Sequence, residues 1–333
     1  MSQRYFQLSM YIGVAGLLLS ILCSLLLGNA SISLMQLWQT LSSSDSDLAL
    51  QTTILWQIRL PRILTAVLAG AGLAIAGSVL QNVSRNPLAD PYLFGLMAGA
   101  GLGATLVSVV LPQGQYSLAL GAFIGALFAV VLVFVSCAGR HWRRMDMTLL
   151  AGVAVSFMLS AISSFILYFA EPFAANRIMF WLMGSLSRAN WHSVMMILPV
   201  LLLVTGLAFA LRRQLDVLLL GDESARALGA HPLRLRVVLL VATALLTAVI
   251  VSQCGGIAFV GLMVPHIVRH SFGVTAVRLL CGCILVGAIF MIWVDNLART
   301  VLSSQEIPLG VITSLVGSVF FLILMRRQAD KSA

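Results

Sequence analysis

Lysine is almost missing from this chain. Lys331 is the only one in 333 residues, and Asp and Glu together number 11. Charged residues make up 9% of the sequence, where a soluble domain carries about 25%. Hydrophobic residues make up 60%, and the mean hydropathy is +1.02. An ordinary soluble domain is excluded, and an integral membrane protein is what remains. Catalytic signatures are absent too. There is no G-x-x-x-x-G-K-[ST], so the chain has no P-loop for ATP, and neither H-E-x-x-H nor G-x-S-x-G occurs. The five cysteines, Cys23, Cys137, Cys254, Cys281 and Cys283, lie in or beside apolar runs and form no C-x-x-C pair. They read as buried free thiols, and Cys281 and Cys283 would face different sides of a helix. The net charge of +9 is no nucleic-acid signal, because the arginines sit at the ends of apolar runs, where orientation is set.

What is present is apolar sequence in blocks. Ten segments can be drawn, near 8–28, 63–80, 92–111, 117–138, 147–170, 193–211, 235–254, 257–268, 279–297 and 309–325. A helix needs about 20 residues to cross a bilayer, so most can span. The eighth is too short to cross in a straight line, and either packs inside protein or belongs to a broken helix. Arg4, the apolar run to Leu27 and Gly28-Asn29-Ala30 imitate a signal peptide. The run is longer than the usual h-region of about 7–15 residues, so it is kept as the first span. With both termini cytoplasmic, fifteen basic residues fall inside and five outside: Arg59, Arg62, Arg177, Arg188 and Arg299. That is a positive-inside distribution.

Small residues recur every fourth position at Ala66, Gly70, Ala74 and Ser78, at Gly95, Gly99 and Gly103, and at Gly121 with Gly125. Such rows let helix backbones approach closely, here within one subunit rather than between two. Arg59-Leu60-Pro61-Arg62 and Arg234-Leu235-Arg236 each precede a small-residue span, one starting outside and the other inside. The correspondence is loose, in the sense of an inverted repeat.

The most polar stretch of the second half runs from Gly221 to Arg236. Asp222 and Glu223 open a helix of about two turns, Arg226 sits in it, and Gly229 with Pro232 closes it. It is far too short to span and has basic flanks, so it lies in the cytoplasm as a docking piece or as a plain connecting loop. Asp295 is the one acid placed within a span, four residues before Arg299, and is expected to orient it. His266 and His270 are also four apart but lack a third ligand, so a structural role is expected. A secondary transporter coupled to ions would need midplane ionisable groups, for which Asp295 alone is poor. An enzyme would need a catalytic set.

Several motifs together resemble one family. They are Q-I-R-L-P-R at 57–62, A-G-x-x-L-Q-N-x-x-R-N-P-L-A-D-P at 76–91, G-D-E-S-A-R-A-L-G at 221–229, G-x-x-x-F-V-G-L-M-V-P-H-I-V-R at 255–269, D-N-L-A-R at 295–299 and E-I-P-L-G-V-I-T at 306–313. In this order they look like the permease subunits of ABC importers for iron-siderophores, haem and vitamin B12. The resemblance implies an all-α fold of about ten transmembrane helices, one permease domain over residues 1–333, in the bacterial inner membrane. It implies no cofactor on this chain and ATP with Mg on two partner ATPase subunits. A second permease copy and a periplasmic substrate-binding protein complete the set, and the cargo is a metal chelate.

Residue by residue, Gly221, Asp222, Glu223, Ser224, Ala225, Arg226, Ala227, Leu228 and Gly229 match the family's ATPase-coupling helix. Arg59, Arg62 and Arg299 match outer arginines that pair with glutamates of the binding protein, and their plainer reading is interfacial snorkelling. Asn86 and Leu88 match a cytoplasmic gate whose partners would be Met145 and Asp146, where vitamin B12 permeases carry small hydroxyl residues. Asn86-Pro87 is also a plain turn signal.

Overall fold

A computed structural model describes residues 3–27, 35, 49–110, 115–137, 145–302 and 305–332. Among these residues every regular element is helical. Helix α1 spans Gln3–Leu26 and α2 spans Ala49–Thr53. A π-helical turn over Ile54–Arg59 carries α2 into α3, Leu60–Ser84. Pro61 at the start of α3 has no N–H to return to the preceding turn, and the widened turn directly before it accommodates the gap.

A 3₁₀ turn at Pro91–Phe94 leads into α4, Leu96–Val110, which is followed by α5, Gln115–Ser136, and α6, Met145–Tyr168. Next come α7, Pro172–Leu182, α8, Trp191–Ala210, and α9, Arg212–Leu218. The last five are α10, Asp222–Ala227, α11, Pro232–Cys254, α12, Val260–Ser271, α13, Ala276–Thr300, and α14, Leu309–Ser332.

Among the described residues, eight helices are long and apolar enough to cross a membrane. The third apolar segment appears as the 15-residue α4. The eighth appears as the 12-residue α12, reached from α11 through non-helical residues 255–259, which is the broken-helix solution. All ten expected segments are therefore helices.

The hub is α3. From Thr65 to Val83 nearly every side chain is buried, where α1 buries only Ser20 and Ser24. The small-residue rows explain how neighbours close on it. A Cβ at Gly70 would lie 2.1 Å from the Gly287 carbonyl oxygen, and one at Gly77 would lie 2.0 Å from that of Gly261. Helices α13 and α12 thus touch α3 backbone to backbone. Likewise Gly99 meets Gly125, and Gly103 meets Gly121, so α4 and α5 form a second close pair. All of these contacts lie within one copy of the chain, as expected.

At 1.5 Å per residue α3 is about 37 Å long. It separates two polar ends, one at Arg62 and the other at Asp222.

Candidate functional site

At the Asp222 end, the chain leaves α9 and turns at Gly221, whose φ of +104° suits glycine and no L-residue well. That turn starts α10 with Asp222 and Glu223 in its first turn and Arg226 in its last. Gly229, at φ +80°, ends it, and the Ala230 N–H donates to the Ala225 carbonyl at 2.9 Å. The boundaries expected from sequence are met. Ala225 is the one buried residue of α10; Glu223, Ser224, Arg226, Ala227, Leu228 and Gly229 are exposed, beside exposed Leu219 and Leu220.

Asp222 faces inward instead. Arg236, on α11, donates to it from both terminal nitrogens, Nη2 to Oδ1 at 2.7 Å and Nη1 to Oδ2 at 2.9 Å. A forked pair of this kind fixes direction as well as distance. Arg85 adds an Nη2 contact to Oδ1 at 3.1 Å. Arg85 is the C-cap of α3 and one of two non-glycine residues with positive φ among the described residues, at 53°.

The turn after Arg85 is the Asn86–Leu88 stretch. The Asn86 side chain accepts from the Leu88 N–H at 2.9 Å, closing an Asx turn that leaves Leu88 exposed. Asp90 then accepts from Tyr92 N–H at 2.7 Å and caps the 3₁₀ turn. Asp222 therefore ties α10 to α11 and to the residue that precedes Asn86. Met145 and Asp146 open α6, and their side chains lie outside the described residues.

At the Arg62 end, the three outer arginines were expected on an open rim. The structure corrects this: Arg59, Arg62 and Arg299 are all buried within the chain. Arg62 donates from Nε and Nη2 to Asp295 at 2.8–3.1 Å. It donates from Nη1 and Nη2 to Glu306, both at 2.8 Å. Arg299 Nε lies 3.1 Å from Asp295 Oδ2, so Asp295 does orient Arg299 as expected, but it holds Arg62 as well.

Helix α1 and Asn296 of α13 contribute further acceptors. Arg299 Nη2 donates to Ser24 Oγ at 2.9 Å and also to the Asn296 side chain, and Arg59 donates to the Leu25 carbonyl. Losing Asp295 would take the carboxylate from buried Arg299 and leave Arg62 with Glu306 alone; breaking a buried pair in this way typically costs about 3–5 kcal/mol. Glu306 was not singled out from sequence. The available signal was an acid beside Pro308 at an end that is poor in acids. The adjacent Arg62 guanidinium holds its carboxyl below the ordinary carboxylate range.

Three irregular backbone segments satisfy one another's hydrogen bonds, as non-helical backbone in a membrane protein requires. Ser185 N–H donates to the Cys254 carbonyl at 2.9 Å, Leu309 N–H to Gly184 at 3.0 Å and Gly310 N–H to Met183 at 2.9 Å. Tyr92 Oη donates to the Ile257 carbonyl at 3.0 Å. Two cavities border this knot. One of about 550 Å³ is lined by Arg177, Trp181, Arg188, His192, Gln253 and Glu306 among others. The other, of about 740 Å³, is mainly apolar, with Met97, Leu182, Phe259, Val311 and Leu315 in its wall. His266 packs edge-on against Phe320, with ring centroids 5.9 Å apart, in keeping with the expected structural role.

The architecture and sequence both have relatives. Over 326 residues the chain is 37% identical to the hemin transport system permease protein of Yersinia pestis, covering 95% of this chain and 96% of that one. Over 281 residues it is 40% identical to the vitamin B12 import system permease protein of Salmonella schwarzengrund, covering 82% and 84%. A metal-chelate type ABC transporter solved in an inward-facing conformation superposes with a TM-score of 0.86 at 32% identity, covering 96% of this chain and 98% of that one. Residues 16–327 match the model of the FecCD transport family, and the chain belongs to that family.

Proposed function

We propose that this chain is the membrane-spanning permease of a binding-protein-dependent importer that moves a metal chelate into the cytoplasm. In this reading two copies pair around the pathway, two ATPase subunits bind at the Asp222 end, and a periplasmic binding protein docks at the Arg62 end. Both termini then lie in the cytoplasm. An iron chelate is the favoured cargo. The hemin and vitamin B12 relatives match at similar identity, so overall similarity does not choose between their cargoes.

The observation that carries the reading is α10. It is a capped six-residue helix, too short to span, that turns an exposed mixed face away from the bundle. Through Asp222 it is tied to the residue that enters the Asn86–Leu88 turn. A subunit gripping that face would pull on the turn. Asn86 and Leu88, with Met145 and Asp146 as their partners, serve as the cytoplasmic gate.

The test replaces Glu223 and Arg226 together with alanine. Both side chains are exposed, so the thermal midpoint of the purified permease should stay within about 2 °C of the parent. Co-purification of the ATPase and transport into vesicles should both fall. Unchanged co-purification and transport would overturn the assignment of α10.

A further inference from the structure

Burial of Arg62 raises a difficulty for docking at this end. Of the five N–H donors on its guanidinium, four already point at carboxylates of the same chain. A partner's glutamate finds no vacant face. The two carboxylates are not equivalent, however. The Asp295 side chain is 1% exposed and is shared with Arg299, so removing it would take the carboxylate from Arg299 and leave Arg62 with Glu306 alone. The Glu306 side chain is 34% exposed and pairs with Arg62, whose own side chain is 9% exposed. An ion pair with one partner in reach of water is weak enough to exchange.

Arg62 thus carries two carboxylates, one locked between two arginines and one within reach of water. We infer that Glu306 is an internal placeholder, a carboxylate that occupies the outer fork of Arg62 until an acidic residue of the docking protein displaces it. This rests on the docking role proposed above for the Arg62 end.

The exchange has somewhere to act. Ile307 N–H is bonded to the Ala298 carbonyl at 3.0 Å, and Leu309 and Gly310 are bonded to Gly184 and Met183. Glu306 itself lines the 550 Å³ cavity with Arg177 and Arg188. A carboxylate released from Arg62 would therefore enter the mouth of that cavity, where two further arginines stand. Docking would change the charge of the entry chamber without the binding protein reaching into it.

The experiment measures association of the importer's own binding protein with the assembled transporter in lipid nanodiscs, for the parent, Glu306→Gln and Arg62→Ala. Glutamine keeps the size and one acceptor for Arg62 but removes the competing charge. Glu306→Gln should therefore associate faster than the parent, by roughly 3- to 10-fold at low salt, with a steeper loss of rate as salt is added. Arg62→Ala should associate more slowly.

If Arg62→Ala is slowed while Glu306→Gln is unchanged or also slowed, docking stands and the placeholder is overturned. If Arg62→Ala binds as fast as the parent, the docking role falls and the placeholder with it. Should Glu306→Gln assemble poorly, Glu306→Asp serves in its place. It keeps the charge but shortens the reach, and a rate between parent and the expected gain supports the inference, while a parental rate overturns it.

Discussion

Asp90 shows how one residue couples burial to pH. It is 7% exposed and accepts the Tyr92 N–H at 2.7 Å, yet no cation is close enough to pair with it among the contacts seen. Burial pushes its pKa up to about 6, against the partial restraint of that hydrogen bond. A folded-state pKa above the unfolded value means the folded chain holds the proton more tightly. The favourable contribution is complete below about pH 4 and is lost as pH rises through about 6. Asp90→Asn keeps the acceptor for Tyr92 and has no charge to desolvate. Its thermal midpoint should drop less between pH 5 and pH 7.5 than the parent's, a difference worth about 1–3 kcal/mol. Equal pH dependence in the two proteins would show that Asp90 stays hydrated. Nothing in the sequence distinguishes this acid from Asp222, whose partners Arg236 and Arg85 stand 14 and 137 residues away. Local spacing found Asp295 with Arg299 because four residues make one helix turn. It could not find Arg62 with Asp295, which only the packing of α3 on α13 brings together.

Helices were more legible than their partners. Length and hydropathy located all ten apolar segments, and capping residues located α10, because both signals are local. The π-helical turn before Pro61 was missed, since a proline near a helix start reads as an ordinary first turn. The small-residue rows announced close contacts without saying which helices meet. The contact of α3 with α13 has a definite register. Gly70 lies eight residues after Arg62 and Gly287 eight before Asp295, just over two turns on each antiparallel helix. The glycine contact and the ion pair thus fix the same alignment from two heights. Gly70→Ala would press a methyl group to 2.1 Å from a backbone oxygen, with no flexible side chain to yield. It should lower stability by about 1–3 kcal/mol. Gly206→Ala on α8 is the control, because a Cβ there meets nothing within 4 Å. That change should be neutral or raise the midpoint, by up to about 1 kcal/mol from helix propensity. Thermal unfolding of both in the same detergent decides the matter. Equal midpoints would mean that α3 and α13 are not held at backbone contact.

For the whole molecule, the proposed pairing of two copies bears on the exposed face of α14. Leu315 borders the larger cavity and is also exposed, as are Val311, Leu322 and Ile323 along the same helix. In that pairing, a second copy facing α14 would close the cavity wall at Leu315. The same view makes the link from α10 to the turn testable. Leu88 is exposed here, and its turn begins at Arg85, which reaches Asp222 on α10. With the five native cysteines replaced, a cysteine at Leu88 should label from the cytoplasmic side in the nucleotide-free complex. It should be protected in one of the ATP-bound or vanadate-trapped states. Adding Arg85→Ala removes one leg of the Asp222 link but leaves the forked bond from Arg236, so α10 should still hold the ATPase. Labelling at Leu88 should then respond less to nucleotide while ATPase co-purification persists. Full nucleotide-dependent protection in the Arg85→Ala background would mean that motion reaches the turn by another route, through the helix contacts of α11 on α3. Labelling that never changes, even with Arg85 intact, would remove Leu88 from the gate.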